Sequence, residues 1–145
     1  MLLVSIFLGF VLILTFNFYI KDSYKVEVNG YVELLDSNKQ NADPISFSTK
    51  PIKNSEVIAV NGKVKSLPRN IIIPIKSLSN KKLITYTNSD GTFNFQLRPG
   101  IYTFFIVQNH NAYLNSFDGR GYYKSSKVSS GMDDILITVT SKSYF

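Results

Sequence analysis

The chain has 145 residues, of which 44% are hydrophobic and 14% aromatic, and its formal net charge is +6. This length and apolar content suffice for one domain with a real core, and they exclude an intrinsically disordered chain. The sequence contains no Cys, which excludes disulfides, cysteine-based zinc sites, thiol catalysis and lipid attachment at a cysteine.

A hydrophobic segment opens the sequence. Residues 2–20 contain no charged side chain, and a helix of about 19 residues is about 28 Å long, close to the ~30 Å hydrocarbon core of a bilayer. We therefore expect a single-pass membrane anchor over residues 1–21. A cleaved signal peptide is the alternative, although no Lys or Arg precedes the apolar run and Phe18–Lys21 form a poor cleavage site. In either case we expect residues 22–145 to form a domain outside the cytoplasm.

Strands and turns follow from Tyr24 onward, with no extended helical period. Residues 25–34 alternate between polar and apolar side chains, and Gly30 within them indicates a bulge or a close backbone approach. Short strands are predicted at residues 45–49 and 56–60. Asn61-Gly62 predicts a hairpin that joins residues 57–60 to residues 63–65.

The second half of the chain continues the strand pattern. Pro74 places residues 71–75 at a sheet edge or a bulge, and residues 82–87 lead into the most regular stretch of the sequence. Residues 135–140 form a last strand with Ile135, Ile137 and Val139 on one face. Short strands separated by turn signals predict an all-β fold, an antiparallel β-sandwich.

The most regular stretch is residues 87–106. Asn88–Gly91 is turn chemistry, because Asp90 can accept a bond from its own backbone and Gly91 tolerates positive φ. Phe93, Phe95 and Leu97 then alternate with polar residues, as in a half-buried strand. Pro99 and Gly100 fit the central positions of a type II turn. Alternation resumes at Tyr102, so the stretch predicts a hairpin.

This stretch resembles the signature hairpin of carboxypeptidase regulatory-like domains, which are transthyretin-like (prealbumin-like) β-sandwiches. Residues 28–32 are similar to the first strand of that family. The resemblance implies a non-catalytic accessory module of secreted or surface proteins. Roughly 55 residues separate Val32 from Thr87, more than the family commonly has, so residues 39–82 are an elaboration. The residues that carry the resemblance are Thr87, Asp90, Gly91, Phe93, Phe95, Leu97, Pro99, Gly100 and Tyr102.

The residue inventory argues against an enzyme. Hydroxyisourate hydrolases and intradiol dioxygenases resemble this fold but need two or more His, whereas this chain has only His110. Asp133 and Asp134 lack further oxygen ligands nearby for a cation. We expect no catalytic residue, no metal site and no cofactor. A self-formed Lys–Asn cross-link beside a buried carboxylate stays open, because Glu27, Glu33 and Glu56 lie on strand candidates.

The candidate binding site is the loop over residues 113–123, where aromatic side chains flank a Gly- and Arg-containing turn. Aromatic rings give a large contact area at low entropy cost, which suits a protein or carbohydrate ligand. The alternative is that Tyr122 and Tyr123 pack over one end of the sandwich. The candidate residues are Tyr113, Phe117, Arg120, Tyr122 and Tyr123.

The elaboration is strongly basic. Residues 39–82 contain nine Lys or Arg and two acidic residues, which suits contact with anionic headgroups or surface polymers. Nucleic acid is disfavoured, because stacking aromatics are not interleaved with the basic residues. We therefore expect a non-catalytic, membrane-anchored module that binds a ligand or gives structural support at the cell envelope. The alternative is a subunit of a surface assembly or filament that pairs through exposed strand edges.

Overall fold

The structure, a computed structural model, describes residues 24–36, 48–66, 70–78 and 82–140. Within these ranges the chain forms strands and one short 3-10 turn at Ile75–Ser77, and no helix there is long and apolar enough to cross a membrane. The predicted anchor, residues 2–20, lies outside the described residues. The strands are β1 (Val26–Asp36), β2 (Ser48–Pro51), β3 (Glu56–Asn61), β4 (Ile72–Pro74), β5 (Lys82–Tyr86), β6 (Thr92–Leu97), β7 (Gly100–Gln108), β8 (Asn111–Tyr113), β9 (Ser126–Val128) and β10 (Ile135–Thr140).

The first sheet is built around β1. One side of β1 pairs in parallel with β10, and the other side pairs antiparallel with β6 and then with β2. The first sheet is therefore mixed, which corrects the prediction of a purely antiparallel sandwich. The reason is that β10 enters by a crossover from the other sheet, so no hairpin forces it to run against its neighbour.

The second sheet has the order β4-β8-β7-β3-β5, with β9 paired to the beginning of β7. The strands β7 and β8 form a tight hairpin through Asn109 and His110, whose φ angles of 46° and 62° are those of a two-residue hairpin turn. β4 is an edge strand that ends at Pro74, as the sequence predicted.

The two sheets pack face to face around one hydrophobic core, so the domain is a β-sandwich. The rings of Phe95 on β6 and Phe104 on β7 meet across the interface, with their centroids 6.0 Å apart. Alternate residues of each strand point inward because the side-chain period of a strand is two. The first sheet contributes buried Val26, Val28, Val32, Phe93, Phe95, Leu97, Ile135, Ile137 and Val139 to this core.

The predicted hairpin over residues 87–106 is wrong. β6 belongs to the first sheet and β7 to the second, so the chain crosses between the layers at Arg98-Pro99 instead of folding back onto itself. Gly100 begins β7 and is not among the positive-φ glycines of the described chain, so Pro99-Gly100 is not a type II turn. Crossing places the inward rings of β6 and β7 on opposite sides of the core, where Phe95 and Phe104 meet.

The predicted hairpin at Asn61-Gly62 is also wrong. β3 pairs with β5 and β7, and both of its edges are therefore occupied before the chain reaches Lys63. Gly62 does adopt positive φ, at 96°, but its N–H donates to the carbonyl of Ile101 across the sheet. Asn61-Gly62 therefore does form a turn, but residues 63–65 do not pair with β3.

Gly30 allows the closest approach in the first sheet. A Cβ atom at Gly30 would lie 2.2 Å from Cζ of Phe93 and 2.6 Å from the carbonyl oxygen of Ile135. The ring of Phe93 thus occupies the space that any larger residue at position 30 would need. The sequence-based prediction of a close approach at Gly30 is confirmed.

Substituting Gly30→Ala is expected to destabilise the domain by about 1–3 kcal/mol, because the new methyl group overpacks the core against Phe93 and a fixed carbonyl. Urea unfolding followed by circular dichroism measures the change. Gly100→Ala is the matched control, because a Cβ atom there meets its nearest neighbour at 3.5 Å, an ordinary contact. Equal stability of the two variants would contradict the close packing at Gly30.

Candidate functional site

The central strands of the second sheet are apolar on both faces. Val57, Ile58, Ala59 and Val60 of β3 are all buried, and so are residues 102–106 of β7. The register pairs Ala59 with Phe104 on the face that packs against the first sheet. Ile58 and Phe105 pair on the opposite face, which the first sheet cannot reach. That outer face therefore needs a cover of its own.

The cover consists of residues 62–66 and 116–125. The backbone N–H of Tyr123 donates to the carbonyl of Val64 at 3.0 Å, and the N–H of Ser66 donates to the carbonyl of Gly121 at 3.0 Å. These bonds join the two segments into a small antiparallel ladder over the sheet. At its beginning, the hydroxyl of buried Thr103 donates to the carbonyl of Gly62 at 2.9 Å.

Tyr123 is the side chain that closes the outer face. It is fully buried, and its ring packs edge-on against Phe105 with a centroid distance of 5.2 Å. Its hydroxyl donates to the carbonyl of Asn70 at 2.6 Å. Burial disfavours the phenolate and raises the pKa of Tyr123 above its usual value. Tyr123 is therefore a neutral structural residue under ordinary conditions.

The tip of the cover, defined as residues 117–122 together with Lys63 and Lys65, is organised by Asp118. Oδ1 of Asp118 accepts the N–H of Arg120 at 2.8 Å and that of Tyr122 at 3.2 Å. Oδ2 lies 3.4 Å from Nζ of Lys63. The bond from the Arg120 N–H is the main reason that the pKa of Asp118 is lowered, so the carboxylate stays charged and holds the turn.

The outward side of the tip is aromatic and basic. Because side chains alternate along a strand, Tyr122 faces solvent where Tyr123 faces the sheet. Tyr122 is 36% exposed, and Phe117, which pairs with Tyr123 and lies on its side of the ladder, is still 40% exposed. The Lys63 ammonium lies 5.6 Å from the centroid of the Tyr122 ring, and Lys65 pairs with Tyr122 across the ladder. Arg120 is exposed at the turn itself.

The five residues predicted for the site divide into two groups. Phe117, Arg120 and Tyr122 lie at the surface of the tip, where a ligand could reach them. Tyr113 and Tyr123 are fully buried and lie beneath the surface. The packing alternative is therefore observed for Tyr123, whereas Phe117, Arg120 and Tyr122 stay accessible at the surface.

The sequence analysis did not place three residues of the tip in the binding loop: Lys63, Lys65 and Asp118. The two lysines belonged there only to the basic region of residues 39–82. Lys63 and Asp118 are 55 positions apart, and no local pattern indicates that such distant residues meet. Asp118-Gly119 did carry a signal, because an Asp followed by Gly is typical of a turn that the Asp side chain closes. Gly119 and Gly121 have positive φ, at 76° and 86°.

The turn signature around Asp90 serves the fold. Oδ1 of Asp90 accepts the N–H of Thr92 at 3.0 Å and the hydroxyl of Thr92 at 2.6 Å, and these bonds lower the pKa of Asp90. Gly91 has a φ of 85°, and its carbonyl accepts the N–H of Val32 at 2.9 Å. The turn thereby fixes the start of β6 against β1.

The other titratable candidates have surface or structural surroundings. His110 is exposed in the turn between β7 and β8. Across the described ranges, no group of three or more His, Asp or Glu residues could hold a metal ion. Glu27 accepts a bond from the Asn94 amide at 2.9 Å, and Glu33 accepts one from the Thr138 hydroxyl at 3.1 Å. Both contacts are to neutral side chains.

Comparison with known proteins gives no relative from which a fold or a role can be transferred to this chain. No family model and no curated protein matches the chain. Among solved structures, BcpA, the major pilin subunit of Bacillus cereus, is similar over 78% of this chain at 14% identity, with a TM-score of 0.32. The match spans 30% of the pilin chain. A likeness of this size supports no argument about activity or partners.

Tyr123→Phe is expected to lower the free energy of unfolding by about 0.5–1.5 kcal/mol at neutral pH, because it removes the bond to the Asn70 carbonyl. The raised pKa of Tyr123 gives stability that is complete below the unfolded value of about 10 and is lost as pH rises through the folded value. The difference in the free energy of unfolding between wild type and Tyr123→Phe should therefore become smaller above about pH 10. Urea midpoints at pH 7 and at pH 10.5 measure it.

The control for this pair of measurements is Tyr86→Phe, which removes a hydroxyl from a side chain that is 62% exposed. It should leave both midpoints close to those of wild type. A gap between wild type and Tyr123→Phe that widens at alkaline pH would contradict the proposed burial of a neutral hydroxyl.

Proposed function

We propose that the protein is a non-catalytic β-sandwich module of the carboxypeptidase regulatory-like class, tethered to a membrane outside the cytoplasm, which binds an anionic surface polymer through its tip. The observation that supports the binding role is the position of Lys63 over the exposed ring of Tyr122, with Lys65 opposite Tyr122 in the ladder and exposed Arg120 in the same turn. The tether would be residues 2–20, whose length and lack of charge suit a bilayer span.

The chemistry of the tip favours an acidic carbohydrate. Arg and Lys bind carboxylate or phosphate groups, and an exposed aromatic face packs against the apolar face of a sugar ring. Asp118 neutralises Lys63 only in part, because it lies to one side and also accepts two backbone N–H groups. Lys65 and Arg120 have no such acidic neighbour among the contacts found at the tip.

A rigid support is the second reason to place binding at the tip. Binding surfaces lose less entropy when the contacting side chains are already held in place. The Phe117 ring stacks on the buried Tyr123 ring, with centroids 5.3 Å apart and an interplanar angle of 28°. Tyr123 in turn packs on Phe105, so these ring contacts hold the tip against the second sheet.

The resemblance to carboxypeptidase regulatory-like domains supports an accessory role. The described fold shares the all-β, two-sheet architecture that this resemblance implies. The proposal of a tether has its own test. The full-length protein should stay with cell membranes through an alkaline carbonate wash, and its release into the wash would contradict a membrane-spanning anchor.

The binding proposal is tested with the full-length protein in detergent micelles and with immobilised polygalacturonate, an acidic polysaccharide. The double variant Arg120→Ala, Tyr122→Ala is expected to lose at least about fivefold in affinity, since it removes one charged contact and one ring contact worth roughly 0.5–1.5 kcal/mol each. Wild-type binding should weaken with added salt, because exposed charges are screened.

Lys50→Ala is the matched control, because Lys50 is an exposed cation on β2 of the other sheet. It should bind like wild type. Neutral dextran in place of polygalacturonate should show little binding by any variant. Equal affinity of wild type and the double variant, with the fold retained in both, would refute binding through the tip.

A further inference from the structure

In the described part of the chain, the outer edge of β5 is apolar and has no paired strand. β5 is the last strand of the second sheet and pairs only with β3 among the described strands. Leu83, Ile84 and Tyr86 are 50%, 49% and 62% exposed. Monomeric proteins normally protect such an edge with charges, proline or a covering loop, because an open edge pairs readily with another strand. In β5 the charge is confined to Lys82, at the beginning of the strand.

The backbone groups that point outward from β5 can be identified. The N–H of Thr87 donates to the carbonyl of Ser55 at 2.9 Å, next to the last register pair of β3 and β5. Hydrogen-bonded pairs alternate along an antiparallel ladder, so Thr85 and Leu83 also direct their N–H and C=O groups toward β3. Ile84 and its neighbours two positions away therefore direct theirs outward.

We infer that β5 is a self-recognition edge, which pairs antiparallel with β5 of a second copy about a two-fold axis at Ile84. This register uses all five residues of the strand. Ile84 then lies opposite Ile84 of the second copy, and Leu83 lies opposite Thr85. Lys82 lies opposite Tyr86, where an ammonium over an aromatic face is favourable. No two like charges are opposed in this register.

The symmetry of the contact sets its outcome. An isologous two-fold contact uses the same edge on both copies and closes after two, so it produces a dimer and no filament. The dimer would join two second sheets into one continuous sheet. β5 shares no residue with the tip, so this inference does not depend on the proposed binding function.

Three of the other sheet edges suit pairing less well. β4 has three residues and ends at Pro74, which has no N–H to donate. β2 has four residues, includes Lys50 and ends at Pro51. β10 exposes one large apolar side chain, Leu136, at 62%. A strand of five residues makes a small interface, so the contact is weak in solution, and covalent capture is the suitable readout.

Single-cysteine variants of the full-length protein test the contact, because the sequence has no Cys of its own. In detergent micelles under mild oxidation, Ile84→Cys is expected to form a disulfide-linked dimer. Residues opposed in a hydrogen-bonded pair have Cα atoms about 5.5 Å apart, which is within the range that a disulfide spans. Leu136→Cys is the matched control, as an exposed aliphatic on the edge of the first sheet. It also reports any association through residues 2–20.

The register has a test of its own. Leu83→Cys mixed with Thr85→Cys should cross-link at least about fivefold more than either variant alone, because only the mixture places two thiols directly opposite each other. Ile84→Pro removes an outward N–H without breaking a bond to β3, so it should abolish the cross-link of the mixed variants. If this variant loses the fold, Ile84→Lys serves instead, through opposed charges at the axis.

Three results would overturn the inference. A dimer yield for Leu136→Cys equal to that for Ile84→Cys would show association that does not select β5. Leu83→Cys alone could equal the mixture, which would show a different register. A folded Ile84→Pro or Ile84→Lys variant that retained the cross-link would show that this edge is not the contact.

Discussion

The structure depends on one constraint: the central strands of its second sheet are apolar on both faces. A strand of this kind is stable only where both faces are covered, because each uncovered side chain would leave apolar area in water. Val57 and Phe104 face the first sheet, and Ile58 and Phe105 face away from it. A two-layer sandwich covers only Val57 and Phe104, so the chain must supply a further layer over Ile58 and Phe105.

That requirement explains the position and the two-sided character of the candidate site. Residues 62–66 and 116–125 cover the outer face, and Tyr123 closes it through its contacts with Phe105 and the Asn70 carbonyl. The alternation that directs Tyr123 inward directs Tyr122 outward. The exposed aromatic and basic groups of the tip are therefore a consequence of the cover, and its buried half is the support that holds them in place.

Local signals predicted the strands, and partners were harder to predict. Alternating side chains located β1, β6, β7 and β10, and Pro74 located an edge, because these signals act within a few residues. The pairing of β1 with β10 joins residues more than 100 positions apart. Asn61-Gly62 predicted a turn but not its partner strand, and at Pro99-Gly100 the chain crosses between the sheets where a hairpin turn was predicted. In the site, Phe117, Arg120 and Tyr122 could be identified because they are close in sequence. Lys63 is far from them in sequence and is brought beside them only by the pairing of residues 62–66 with residues 116–125.

The most direct test of the account compares two neighbouring residues, Tyr122 and Tyr123, by equilibrium unfolding of the alanine variants. Tyr123→Ala should lose about 3–5 kcal/mol, the cost of emptying a buried aromatic site. Tyr122→Ala should change the free energy of unfolding by less than about 0.5 kcal/mol, as expected for a surface position. Similar losses for the two variants, or a small loss for Tyr123→Ala, would contradict the view that the outer face of the second sheet must be covered.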